Sequence, residues 1–207
     1  MKPELSTPIV YCISEGDITT ANFFQKKSEI IRKVQRAAGL GVNFFQVREK
    51  NLAAGLLFDL VTAAVEASRD RPTKILVNGR LDIAFASGAH GVHLPSDGIP
   101  IGRVRQTVGE ELIIGVSAHS LAEVEKAKAE GADFAAFAPV FASPGKSGAQ
   151  GVEKLRDVCA AVAPFPVVAL GGIDKSNVDE VFAAGASGYA AIRYLNELLR
   201  SKSGSEF

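Results

Sequence analysis

The sequence predicts an α/β fold, a single (β/α)8 TIM barrel, on three observations. A short β-rich apolar run followed by a longer helix-periodic segment recurs eight times. The short runs are nearly all apolar, as expected of parallel strands covered on both faces. No linker or composition break divides the 207 residues, and eight units of roughly 25 residues use nearly all of them, near the short end of the barrel's range. A doubly wound open sheet is the competing architecture. It usually has fewer strands, and its first βα turn often carries a Gly-rich fingerprint. Here that turn reads Glu15-Gly16-Asp17, which does not match.

Taken in order, residues 9–14 give the first strand. Residues 23–38 give a helix with apolar positions at Phe24, Ile30, Ile31, Val34 and Ala38, stopped by Gly39 and Gly41. Strand 42–47 and helix 52–68 follow, then strand 74–77 with a short helix near 81–86. Strand 91–94 precedes a brief helix at 101–108, and strand 112–116 precedes helix 121–130, where Ser120 is a suitable N-cap. Strand 133–137 leads into a Gly/Ser/Pro loop, 142–151, and helix 152–163. Strand 166–170 with helix 176–184 and strand 188–192 with helix 194–200 close the chain. The phrases Ala129-Glu130-Gly131-Ala132-Asp133 and Ala183-Ala184-Gly185-Ala186-Ser187 sit at matching helix-to-strand turns and report a repeated unit. The barrel is expected over 1–200, with 201–207 a disordered tail whose last four residues read as a cloning remnant.

The chain carries 23 Lys+Arg and 23 Asp+Glu, a formal net charge of zero. That excludes a polybasic nucleic-acid binder, because no charge excess is available to neutralise phosphates along a duplex. A hydrophobic content of 47% without net charge argues against disorder. No secretory signal is visible, and no apolar run reaches the ~18 residues of a membrane helix. Cys12 and Cys159 are the only cysteines, set in apolar surroundings. Two thiols make no disulfide framework, which suits a reducing cytosol, so a cytoplasmic location is expected. Small barrels of this kind often pair as homodimers, and no interface stands out in the sequence.

In such barrels the working residues lie at the C-terminal ends of strands and in the loops that follow. After the second strand, Gln46 and Arg48 share a face by alternation, and Arg48 and Lys50 suit a phosphate or carboxylate. A salt-bridged rim, with Glu49 answering the cations, is the competing account. After the third strand, Asn78-Gly79-Arg80 offers an amide for a polar ring, or a plain turn. His93, in the fourth strand, either lines the barrel or touches ligand. After the fifth, Ser117-Ala118-His119-Ser120 places a histidine at a helix start in the mouth, suited to taking or donating a proton near pH 7. A solvated loop histidine is the alternative. His90 precedes its strand and faces the wrong end.

The loop after the sixth strand gathers small residues around Lys146, an arrangement fit to cover an anion or close as a lid. Phosphate sites in this fold recur after strands seven and eight, which here means Gly171-Gly172 and Ile192-Arg193. No Ser–His–Asp arrangement and no His/Cys metal spacing is present. These residues point to a small barrel enzyme acting on a phosphorylated, heterocyclic substrate.

From residue 9 to about 199 the chain resembles the thiamine phosphate synthase/TenI superfamily. The resemblance rests on Gln46-Val47-Arg48-Glu49-Lys50, Val77-Asn78-Gly79-Arg80, Gly91-Val92-His93-Leu94, Gly115-Val116-Ser117-Ala118-His119, Pro139-Val140-Phe141 with Lys146, and Ala169-Leu170-Gly171-Gly172-Ile173. It implies the same barrel and one of two activities. The synthase joins a pyrimidine diphosphate to a thiazole phosphate, with Mg²⁺ held by an Asp after strand three and another after strand four. Here the first position is Gly79, and the second Asp falls one place early, at Asp97. The covering loop has Ser143 and Gly145 where hydroxyls are expected, and Arg193 stands where the family has Ser.

The TenI-type branch is similar in Asn78-Gly79-Arg80-Leu81-Asp82-Ile83-Ala84, Leu94-Pro95-Ser96 and His119-Ser120-Leu121. Its thiazole tautomerases aromatise a carboxythiazole phosphate by moving a proton, without metal. On this likeness His119 is the catalytic residue. Gln46, Arg48, Lys50, Asn78, His93, Ser117 and Lys146 bind substrate, and Gly171, Gly172, Ile192 and Arg193 bind phosphate. No cofactor is expected. Mg²⁺, through Asp97, enters only with the synthase, and a non-catalytic binder of a thiamine-related phosphate is the third reading.

Overall fold

A computed structural model describes residues 5–142 and 148–201. Eight strand–helix units follow one another: β1 Ile9–Ile13, α1 Phe23–Ala37, β2 Phe44–Val47, α2 Ala54–Ala67, β3 Lys74–Asn78, α3 Leu81–Ala86, β4 Gly91–Leu94 and α4 Ile101–Val108. The second half runs β5 Ile113–Ala118, α5 Leu121–Ala129, β6 Phe134–Phe137, α6 Val152–Val162, β7 Val167–Leu170, α7 Val178–Ala183, β8 Gly188–Ala191 and α8 Arg193–Arg200. Each strand pairs in parallel with the next, and β8 returns to β1, closing the barrel. The open-sheet alternative is excluded by that closure.

Strand alternation splits the apolar residues into two cores. One fills the barrel interior with Ile9, Tyr11, Phe44, Leu76, Ile113 and Phe134, among others. The larger one lies between sheet and helices. Gly115 is explained by the interior layer: a Cβ there would stand 2.3 Å from the Phe134 ring. Both thiols are buried, Cys12 in β1 and Cys159 in α6.

Among the boundaries that depart from the sequence pattern, three have clear local reasons. Strand β2 starts at Phe44 rather than 42, because the Val42 N–H bonds the Ala37 carbonyl and closes a 3₁₀ turn, Ala38–Leu40, at the end of α1. Gly41 completes that turn at φ +68°. Strand β5 extends to Ala118, since Ser117 and Ala118 still pair with Ala136 and Phe137. Helix α7 starts at Val178 rather than 176, because the Ser176 N–H and hydroxyl are both drawn to Asp174 Oδ1. On α1 the buried aromatic is Phe23, whereas Phe24 is exposed. Lys33 takes a core position on the same helix by bonding Glu15, Glu29 and Asn196.

Candidate active site

The interior side chains turn polar toward the C-terminal ends of the strands. Gln46, next inward after Phe44 on β2, is almost fully buried and donates from Nε2 to the Tyr11 hydroxyl at 2.6 Å. The Tyr11 hydroxyl lies 3.3 Å from His93 Nδ1, and His93 Nε2 lies 3.0 Å from Ser117 Oγ. A chain of polar groups thus crosses the barrel from β2 through β1 and β4 to β5. His93 lines the barrel at 3% exposure. Burial, then the nearby positive charge of Arg48, pushes its pKa down to about 4, so the ring is neutral at pH 7.

Around this floor the rim is built on Glu49. Its carboxylate accepts from the Ser14 hydroxyl at 2.5 Å and from the backbone N–H groups of Gly16 at 3.2 Å and Ile18 at 3.0 Å. Ser14 Oγ in turn accepts from the Arg48 N–H at 2.8 Å. Glu49 therefore ties the β1 and β2 ends together and does not neutralise Arg48 or Lys50, contrary to the salt-bridged rim. Among the described residues, the charged ends of Arg48 and Lys50 have no carboxylate partner. Asn78, the last residue of β3, is half-buried beside its register partner His93. Arg80 is committed to Asp82 through bonds of 2.9 and 2.6 Å.

His119 follows the last residue of β5. Its Nδ1 lies 2.8 Å from the Ala138 carbonyl. A carbonyl only accepts, so Nδ1 carries a proton, and Nε2 is the nitrogen left to exchange one. Gln150 Nε2 donates to the same carbonyl at 3.0 Å. The His119 N–H is taken by Glu123 Oε2 at 2.7 Å, while Ser120 Oγ accepts from the Glu123 N–H at 3.2 Å. The predicted N-cap at Ser120 is present, and this exchange pins His119 at the start of α5.

Farther along the rim, Gly171 and Gly172 follow β7 at φ +105° and +63°. A Cβ on Gly171 would fall 2.8 Å from Pro139, and one on Gly172 would fall 2.4 Å from the Ala142 carbonyl. These glycines let the chain after β7 lie against the chain after β6, where the Phe141 N–H bonds the Gly171 carbonyl at 3.0 Å. Leu170 pairs with Ala190, so the Ile192–Arg193 turn lies alongside. Asn196 Nδ2 donates to the Ile13 and Ile192 carbonyls at 2.7 Å each, and its Oδ1 accepts from Lys33. Arg193 is exposed at the first position of α8.

Lys146 lies outside the described residues. His90 stands at the other end of the barrel, where its Nδ1 accepts from the Ile75 N–H at 3.0 Å. The structure thus brings Gln46, His93 and Ser117 into one hydrogen-bonded chain, with Asn78 beside His93, His119 after the end of β5 and the Gly171–Gly172 turn against Pro139; Arg48 lies near Gly16, and Lys50 is exposed after β2.

The fit to Mg²⁺ is poor. That ion wants several oxygen ligands in tight octahedral geometry. Position 79 offers a glycine at φ +66°, Asp97 is exposed, and Asp82 is spent on Arg80. Glu49 is saturated by the donors above. Among the described residues no group of three His, Cys, Asp or Glu is placed to hold a metal.

A family model described as thiamine monophosphate synthase (TMP-TENI) matches residues 12–195. This chain belongs to that family. A thiamine-phosphate synthase of Methanoculleus marisnigri is 42% identical over 75% of this chain and 75% of its own. One of Gloeobacter violaceus is 38% identical over 80% of this chain, which spans 49% of that relative's length. A solved structure of thiamine phosphate pyrophosphorylase from Pyrococcus furiosus superposes with a TM-score of 0.76 at 27% identity, over 92% of this chain and 91% of that one. These names speak for the synthase among the activities that the resemblance leaves open, rather than for the tautomerase. The family works on small phosphorylated molecules, in keeping with the cations at the mouth. Among the described residues no helix is long and apolar enough to cross a membrane.

Sequence reasoning missed Tyr11, the linking role of Glu49, and Asn196 with Lys33. Alternation from Ile9 and Ile13 could have placed Tyr11 inside the barrel. No local signal marks Asn196, two of whose partners, Lys33 and Ile13, are far away in sequence.

Proposed function

We propose that this enzyme of thiamine biosynthesis is a metal-independent thiazole tautomerase, aromatising a carboxythiazole phosphate by proton transfer through His119. The observation that carries the reading is the His119–Ala138 bond. It leaves Nε2 facing outward from the strand end, and among the described residues no three His, Cys, Asp or Glu are grouped there to hold Mg²⁺. In this reading Arg48, Lys50 or Lys146 meets the substrate carboxylate. The Gly171–Gly172 and Ile192–Arg193 turns meet its phosphate. Gln46, Asn78, His93 and Ser117 orient the ring.

Thiamine-phosphate synthesis is the second reading, favoured by the names of the relatives. It requires a rebuilt Mg²⁺ site through Asp97 and Asp82, with Asp82 leaving Arg80. One assay separates these readings: incubation with the carboxythiazole phosphate, with and without Mg²⁺ and the pyrimidine diphosphate. Aromatisation without either addition supports the tautomerase. Mg²⁺-dependent coupling at ordinary enzyme rates replaces it with the synthase. Tight binding with no turnover of either substrate set leaves a binding protein.

A further inference from the structure

We propose that Tyr11 relays the direction that the Gln46 amide imposes on the buried hydrogen-bond chain, so that Ser117 presents its hydroxyl as a donor into the mouth. That position then takes a hydrogen-bond acceptor of the ligand, a ring nitrogen or a carboxylate oxygen. The ligand half rests on the heterocyclic phosphate of the reading above, whereas the direction of the chain does not.

An amide nitrogen donates and never accepts, so Gln46 Nε2, at 2.6 Å, makes the Tyr11 oxygen an acceptor. The phenol proton must then go elsewhere. Tyr11 is fully buried, and the rings of Phe44 and Phe134 meet it edge-on at centroid distances of 5.8 and 5.7 Å. Among the described residues the one other polar group in reach is His93 Nδ1, at 3.3 Å. Burial pushes the Tyr11 pKa upward, so the phenol keeps its proton and donates it.

His93 Nδ1 is therefore the accepting nitrogen, and the single proton of the neutral ring sits on Nε2. From there it is donated to Ser117 Oγ at 3.0 Å. Ser117 has received one bond and still holds its own proton. It is half-buried at the mouth end of β5, and no acceptor among the described residues takes that proton.

The opposite polarity needs Gln46 to turn its carbonyl oxygen to Tyr11. Every bond then reverses, and the Ser117 proton is consumed by His93 Nε2. The mouth would then meet an acceptor in place of a donor. Tyr11 is a positioning residue: it touches no substrate, yet it fixes what Ser117 offers.

The test starts from the wild-type protein labelled with ¹⁵N at its three histidines, assigned with His90→Gln, His93→Gln and His119→Gln. The expected spectrum has His93 as the Nε2–H tautomer from pH 6 to 9. A dominant Nδ1–H tautomer at His93 overturns the proposal, and this reading needs no variant at position 11 to fold. Tyr11→Phe is then expected to mix the His93 tautomers. It should weaken carboxythiazole phosphate binding by about tenfold, as Ser117→Ala should, the size of one lost hydrogen bond. The double variant should lose no more than either single one, because both act through one chain. Additive losses contradict it. If the wild type does not bind this phosphate, the functional reading fails, while the His93 tautomer still decides the chain.

Discussion

The Nδ1–H of His119 is held by the Ala138 carbonyl at 2.8 Å, across from β5 to the end of β6. That bond fixes ring orientation and tautomer together, which is what a proton-transferring imidazole requires. Replacing His119 by Ala should lower aromatisation by roughly 10²–10⁴-fold, the usual loss of general acid–base catalysis. The side chain is exposed, so thermal unfolding should barely move. Steady-state rates of the purified variant check this, and unchanged turnover removes His119 from the mechanism.

Glu49 predicts a stability effect. Its carboxylate accepts three bonds from Ser14, Gly16 and Ile18. In Glu49→Gln one accepting oxygen becomes an NH₂ group facing donors. The expected cost is about 1–3 kcal/mol, the range for a buried polar group left unmatched. Chemical denaturation measures it, and a change within about 0.5 kcal/mol, typical of a surface substitution, contradicts the linking role.

The buried histidines predict a pH dependence. Burial, aided by Arg48, lowers the folded pKa of His93 to about 4, and burial, aided by Lys74, does the same for His90. The unfolded chain then binds more protons than the folded one between about pH 6.5 and 4. Stability is present above that window and is lost as pH falls through it, by at most ~1.4 kcal/mol per pH unit for each ring. Glu29, whose folded pKa falls to about 2 against the opposing effect of its partial burial, through Lys33 and Arg200, adds its loss only below about pH 4.5. His93→Gln should remove one ring's share of the slope above pH 4.5; His90 keeps its own share, and Glu49, whose carboxyl burial pushes up, opposes both in the lower part of the window. Melting curves across this range test it, and an unchanged slope sinks the assignment.

Gly172→Ala places a Cβ where the Ala142 carbonyl stands 2.4 Å away, at φ +63°. The chains after β6 and β7 must separate. We expect a loss of about 1–3 kcal/mol from strain at this backbone, together with weaker binding of the phosphorylated ligand. Calorimetric titration and unfolding should move together. Full retention of both would show that the close approach is dispensable.

The barrel was legible because its signals are local and repeated eight times. Apolar runs, helix periods and glycine stops each act within a few residues. Helix-cap chemistry was legible on the same grounds, as at Ser120. The rim was legible by residue type and misread by partner. Glu49 looked like the neighbour of Arg48 and Lys50, yet backbone N–H groups of the β1 turn compete successfully for its oxygens. Phe24 fits the apolar helix period, yet Phe23 is the one buried, because adjacent residues differ by only 100° around a helix. Tyr11 and Asn196 escape a local reading because Gln46 lies 35 residues from Tyr11, and Lys33 and Ile13 lie 163 and 183 residues from Asn196, whose one near partner is the Ile192 carbonyl of its own turn. Such contacts exist only once the barrel has closed.

Proton transfer through His119 without a bound metal is decided by turnover of the carboxythiazole phosphate in excess chelator, followed as loss of the non-aromatic tautomer. Full activity in chelator and near-complete loss in His119→Ala are expected. Activity abolished by chelator and restored by Mg²⁺, or no conversion unless the pyrimidine diphosphate is supplied, would contradict it.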